Sequence, residues 1–335
     1  MTFYIKNTVS DKSRAIIETP IERRRKELSR ELASTTRTIE HATDGAVQVG
    51  FMNTDVPAED GVTVLNMGIG GNFEHPVGTL EAMTYAANNQ DRRVMVVNNA
   101  GSSASSLVPS EVMAEMKATG SFVPQGEWML DTLRRELDNY GELSLVGNSA
   151  GARIAMGIAA AVSVVRLDNP LARVAVFDPP GAQDRTTPGM IAAFIGQIQD
   201  TKRYAEQSPY NPKTLGLLEP MPANLFTAKG AFVQNMWNFP NAMTKRDGFI
   251  DDLIGALRAV KEGGDVTVIQ PEFSQFATPE KMISAMTIAT MVAARMRHLR
   301  HIQINSHSHP LLAEGTGPNA LVTAHKIADE TADEK

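Results

Sequence analysis

Apolar residues in this chain fall in short runs separated by longer segments with a helical repeat. Runs at 62–67, 93–98, 143–146, 174–177 and 266–269 are mainly apolar and predict buried strands, and 301–304 predicts the last strand. Between them, residues 78–89, 127–140, 149–165, 249–262 and 279–297 space their apolar residues as helices do, and 319–329 predicts a closing helix. Residues 37–41 and 46–52 predict two further strands joined by a turn at Asp44-Gly45, and 21–33 a charged amphipathic helix. Strand and helix in alternation imply an α/β fold with a mostly parallel sheet covered by helices on both faces. Residues 182–248 break the rhythm. They hold Pro209, Pro212, Pro220, Pro222 and Pro240 among many Met, Phe and Asn residues, and show no clear strand. So long an excursion is not a plain loop, and it predicts a helical cap insertion over the sheet. The expected organisation is an N-terminal helical extension (1–36), an α/β core (37–181 and 249–330) and the cap (182–248).

Composition narrows the function classes. A 335-residue chain with 42% hydrophobic and 21% charged residues is a folded protein, not a disordered one. A net charge of −6 gives no basic footprint for nucleic acid. The one basic cluster, Arg23-Arg24-Arg25-Lys26, is interleaved with Glu22, Glu27 and Glu31, which at helical spacing reads as ion pairs on a solvated face. Without cysteine there is no disulfide, thiolate nucleophile or Cys-based zinc site. Residues 1–10 lack the apolar core of a secretion signal, and no run of 18 apolar residues occurs. The expectation is a cytoplasmic protein with no membrane span.

One motif carries chemistry. Gly147-Asn148-Ser149-Ala150-Gly151 follows the strand at 143–146 and opens the helix at 149–165. A serine in that setting sits on a sharp turn with strained backbone angles, so its neighbours two positions away must be small where strand and helix would collide. The turn lifts the hydroxyl above the sheet edge and aims the next N–H, from Ala150, at the same space. Two glycine-bearing loops compete for attention: Gly68-Ile69-Gly70-Gly71 after one strand and Asn98-Asn99-Ala100-Gly101 after another. The second is also found in short-chain dehydrogenases, but those need a Tyr-x-x-x-Lys pair, and none of the five tyrosines has Lys four positions on. A nicotinamide-dependent oxidoreductase is therefore the weakest of the alternatives.

With these motifs in place the chain resembles the α/β-hydrolase superfamily, from about residue 37 to residue 329. The resemblance implies that Ser149 is the nucleophile of a serine esterase, lipase or thioesterase acting through an acyl-enzyme. It implies an oxyanion hole formed by the backbone N–H groups of Ala150 and Ile69, with Met67 standing where the family commonly has His. It places the catalytic base in Asn305-Ser306-His307-Ser308-His309, after the last strand. His309 is favoured over His307 because Glu314 follows it by five residues. The His-x-His pair alone does not make a metal site. The triad acid has two candidates. Glu272 lies after the penultimate strand, on the strand the family more often uses, although Ser274 occupies the usual acid position there. Asp178 lies one strand earlier, in the arrangement of certain lipases. No cofactor is implied, and the partner is a small-molecule acyl substrate. A catalytically degenerate binding protein of the same fold is the alternative. Acyl chain length, transfer to water or another acceptor, and oligomeric state are not specified by these residues.

Overall fold

The computed structural model describes residues 2–5, 24, 27–68, 73, 82–83, 85–87, 89–98, 100–101, 105–165, 167–207, 230–294 and 298–304. Its frame is one sheet of nine strands: β1 (Thr2–Ile5), β2 (Arg37–Glu40), β3 (Ala46–Met52), β4 (Val62–Asn66), β5 (Arg93–Val97), β6 (Leu143–Asn148), β7 (Leu171–Phe177), β8 (Val260–Pro271) and β9 (Leu299–Ile304). The spatial order is β1-β9-β8-β7-β6-β4-β5-β3-β2. β2 and β3 are antiparallel to each other, and β3 to β5; the remaining pairs are parallel. Every residue of β3, β4 and β6 is buried, which is why these strands read as mainly apolar runs.

Alternate residues feed two cores. Val62, Val64, Met95, Leu145, Val174, Val176, Val266 and Val268 face one side. There they meet the helices α2 (Ser110–Thr119), α3 (Val123–Leu137), α4 (Ala150–Val165), α6 (Arg246–Ala259) and α7 (Pro279–Ala293). Leu65, Val94, Val96, Val146, Phe177, Ile269 and Ile302 face the other side, against the helix α1 (27–35) and the helical residues 82–83 and 85–87. The sheet is thus covered on both faces. α4 is buried from Ala150 through Val162, so its neighbours approach closely. A Cβ on Gly126 would lie 2.3 Å from Gly157 O, and one on Gly157 would lie 2.3 Å from Phe122 O. Glycine at both positions lets α3 and α4 pack backbone to backbone.

The region between β7 and α6 contains the helix α5 (Thr187–Gln207) and helical residues 231–242, with a π-helical turn at Gln234–Asn238. Met190, Phe239 and Met243 are buried in the core, while Phe232 and Trp237 are 65% and 50% exposed. The apolar residues of this region therefore divide, some packing it down and others facing outward. The sequence pattern missed three features. α2 is too weakly amphipathic to stand out, β8 begins several residues before its apolar run, and β1 joins the sheet beside β9. The expected closing helix at 319–329 lies outside the described residues. Among those described, no helix is long and apolar enough to cross a membrane.

One buried polar group makes the fold sensitive to acid. His301 of β9 is 6% exposed, and its Nε2 lies 3.2 Å from Gln270 Oε1. Burial lowers its pKa from 6.5 to about 4, because a desolvated imidazole resists charging. Above pH 6.5 folded and unfolded chains both hold it neutral, and its full contribution is present. As pH falls from 6.5 toward 4, only the unfolded chain takes up the proton, and about 3 kcal/mol of stability is lost. We expect His301→Gln to flatten this part of the pH dependence. Urea unfolding of both proteins at pH 7 and pH 5 measures it, and a difference between them that does not change with pH would count against this account.

Candidate active site

Ser149 sits between the last residue of β6 and the first of α4, with φ of +56°. A left-handed backbone at a non-glycine residue is costly, and here the surroundings leave no alternative. Its N–H donates to Phe177 O at 2.9 Å, and its carbonyl accepts from Ala152 N at 2.9 Å. A Cβ on Gly147 would lie 2.3 Å from Gly151 O, and one on Gly151 would lie 2.2 Å from Asn66 O. The two flanking glycines are thus required by contact with their own turn and with the end of β4. Ser149 is 5% exposed.

The glycine-rich loop after β4 begins against this serine: a Cβ on Gly68 would lie 3.3 Å from Ser149 Cβ and 3.9 Å from its Oγ. Ala150 opens α4, so its N–H belongs to the first turn, whose amides lack an intrahelical acceptor. Ile69 lies outside the described residues, as do His307, His309 and Glu314. The chain leaves β9 at Ile304, whose carbonyl accepts from Glu272 N at 2.9 Å. Ile304, the last described residue before His309, therefore lies beside the loop that carries Glu272.

The two carboxylates differ sharply. Asp178 follows β7 directly, and the register pairs Asn148 with Phe177, so Ser149 and Asp178 are the next residues on adjacent strands. Asp178 is fully buried, with φ of +44°. Its Oδ1 accepts from Ser274 Oγ at 2.6 Å and its Oδ2 from Gln197 Nε2 at 3.4 Å. Glu272 is only partly buried, and among the described residues its carboxylate has no hydrogen bond or ion pair. In the motif Asn98-Asn99-Ala100-Gly101, of which Asn99 lies outside the described residues, the Asn98 side chain is taken up by the fold. Asn98 Oδ1 accepts from Phe73 N at 2.8 Å, and its amide donates to Gln48. The adjoining cavity, lined by Asn66, Asn98, Ser105 and Gln125, is about 10 Å³, room for a single water and no substrate.

Sequence reasoning missed an ion pair beneath the site. Arg153, one turn into α4, is fully buried, and its Nη2 lies 2.7 Å from Asp252 Oδ2. Nη2 also donates to Gly120 O at 2.8 Å, and Nη1 donates to Pro180 O at 3.0 Å, in the turn just after Asp178. The guanidinium lies 4.8 Å from the ring of Phe122 and 5.4 Å from that of Phe249. Asp252 accepts from Ser121 Oγ at 2.6 Å and Phe122 N at 3.0 Å. Burial pushes its carboxyl above the usual range, against the pull of Arg153, Ser121 and Phe122. A signal was available: Arg153 is the one charged residue in the sixteen of α4.

No protein-family model matches the chain, and no curated protein matches it. Solved structures do. MGS-M2, an alpha/beta hydrolase from a Medee basin deep-sea metagenome library, is 15% identical with a TM-score of 0.56, covering 85% of this chain and 94% of its own. An N-formylmaleamic acid deformylase from Pseudomonas putida S16 is 14% identical at 0.55, covering 86% and 100%. The enol-lactonase of Burkholderia xenovorans LB400 is 15% identical at 0.52, covering 87% and 99%.

The ion pair generates a stability prediction. Arg153→Met leaves the Asp252 carboxylate buried without its cation and is expected to cost about 3–5 kcal/mol, read by urea unfolding at pH 7. Adding Asp252→Leu should cost less than the sum of the two single changes, because the stranded charge is then gone. Strict additivity would show that the pair is not coupled.

Proposed function

This chain has the α/β-hydrolase fold, and on that premise we propose that it is a serine hydrolase that cleaves an ester, thioester or related acyl bond of a small molecule. The observation that carries the reading is the left-handed backbone of Ser149 at the strand-to-helix junction, forced by close contacts at Gly147 and Gly151. Such strain stands where a hydroxyl must be presented above the sheet edge.

In this mechanism Ser149 Oγ attacks the acyl carbon while His309 takes its proton. The N–H groups of Ala150 and Ile69 hold the developing oxyanion. Collapse of the tetrahedral species expels the leaving group, protonated by His309, and leaves an acyl ester on Ser149. Water, deprotonated by the same imidazole, then attacks the ester and restores the serine. We assign the acid to Asp178 rather than Glu272. Its support is complete burial, a hydroxyl donor at 2.6 Å, and a place next to Ser149 on the neighbouring strand. A buried, oriented carboxylate selects one imidazole tautomer and stabilises the charged ring; a partly exposed one does so weakly.

Covalent labelling by a fluorophosphonate, followed by intact mass and peptide mapping, tests this reading. Wild type should gain one adduct on Ser149, and Ser149→Ala none. His309→Ala and Asp178→Asn should slow labelling by about 10³-fold or more, and Glu272→Gln by less than about threefold. Asn tolerates the left-handed backbone at 178, so that variant isolates the charge. Folded wild-type protein that takes no label would favour the binding-only alternative.

A further inference from the structure

We propose that the groove between α2 and the π-helical turn is a second ligand site, shaped for a linear zwitterion of the ω-amino acid type. Nothing in it depends on Ser149 being a nucleophile. The groove encloses about 510 Å³, within the range of small-molecule sites. Its core walls are Asp44, just before β3, and residues 106–110, between β5 and α2. β4 stands between β5 and β6, so the groove begins about 10 Å along the sheet from Ser149.

One charge marks each end. Ser110, Met113 and Lys117 line the groove at positions i, i+3 and i+7 of α2, a single helix face, so it extends about 10 Å along the axis. Asp44 stands at the end where α2 begins, because a Cβ on its neighbour Gly45 would lie 3.3 Å from Ser106 Cβ. Lys117 stands at the other end. Between them Leu107, Val108, Pro109 and Met113 give an apolar floor.

The fold uses neither charge. Lys117 is partly buried, and the helix positions three and four residues away hold Met113, Ala114, Gly120 and Ser121, none of them acidic. The service a lysine gives to a helix C-terminus is supplied by Lys245, whose ammonium donates to Ala118 O. Asp44 is exposed, but its backbone is fixed: its N–H donates to His41 Nδ1 at 3.2 Å and its carbonyl accepts from Trp128 Nε1 at 3.2 Å. His41 is held in turn by Asp131, 3.0 Å from its Nε2. Among the described residues neither Asp44 nor Lys117 enters an ion pair. Opposite charges at the ends of an apolar trough complement a zwitterion and select against a ligand with one charge.

The facing wall is equally fixed. Gln234 Oε1 accepts from Val108 N at 3.0 Å and its Nε2 donates to Val108 O at 2.8 Å, which pins the π-helical turn to the core loop. Asn238 ends that turn and lines the groove, adding an amide that both donates and accepts. Such turns concentrate at functional sites, and walls already held in place cost a ligand little ordering.

Isothermal titration calorimetry at pH 7 tests the site with ω-aminooctanoate, octanoate and octylamine. The extended chain of the first separates its charges by about 10 Å. It should bind wild type with a Kd of about 1 mM or tighter, and each singly charged analogue about fivefold more weakly. Lys117→Gln and Asp44→Asn should each weaken ω-aminooctanoate binding about fivefold. Ser110→Trp, which fills the groove from an exposed position, should abolish it, and Ser149→Ala should bind as wild type does. Thermal midpoints certify that each variant is folded. No binding of ω-aminooctanoate at about 10 mM, or an analogue bound as tightly as the zwitterion, overturns the proposal. So does binding that survives all three groove substitutions or is lost in Ser149→Ala, since either places the ligand elsewhere. Should Ser110→Trp not fold, the two charge variants decide the question. Fluorophosphonate labelling bears only on the hydrolytic reading, so the two can fail separately.

Discussion

The loops at the working edge of the sheet hang from one buried cation. Arg153 places its guanidinium where the α2–α3 turn, α6 and the turn after β7 converge. It binds Gly120 O, Pro180 O and the Asp252 carboxylate while lying between two aromatic rings. A planar, always-charged group with five donors can bind several acceptors at once, which an ammonium could not do with the same geometry. The arrangement also restricts its neighbours: a Cβ on Gly181 would lie 2.3 Å from Nη1, so only glycine fits there. Since Arg153 is one turn beyond Ser149 and bonds the turn just after Asp178, the same side chain couples the helix that Ser149 precedes to the loop that Asp178 opens.

Above that anchor, precision comes from the sheet. Ser149 and Asp178 each follow a strand directly, and the strands are hydrogen-bonded neighbours in register. Their spacing is therefore set by the ladder and not by a loop, and both residues take positive φ to turn their side chains out of the strand direction. Gly68 brings the next loop to van der Waals distance of the serine side chain, so three strand ends converge on one point. The helical segments between β7 and α6 divide their apolar residues. Met190, Phe239 and Met243 bind them to the core, whereas Phe232 and Trp237 face outward.

Much of this was legible in the residue pattern. Strands β4 to β7 and β9 are short apolar runs because parallel strands are buried on both faces, and α3, α4, α6 and α7 carry the helical repeat that such a sheet requires. The elbow was legible because its glycines are demanded by contacts within a few residues. The helix α2 and strand β1 were not. The first buries only Met113 and Met116, and the second is a strand because β9 offers it an edge.

By itself, then, the sequence determined the α/β alternation, the two-sided burial of the sheet, and Ser149 at a strand-to-helix turn. These depend on local spacing, which a chain carries wherever it folds. Tertiary structure alone decided how the two candidate carboxylates differ and what packs beneath the helix that follows Ser149. The sequence left Glu272 and Asp178 nearly even as loop residues after strands, with a slight lean to Glu272 for its more usual strand. Only the side-by-side placement of β7 and β8 buries Asp178 and brings Ser274, 96 residues away, onto its oxygen. Arg153 and Asp252 are 99 residues apart and meet only because α4 and α6 pack on the same face. Partners so distant leave no periodic trace, since the energy that joins them arises only once water has been excluded from between them.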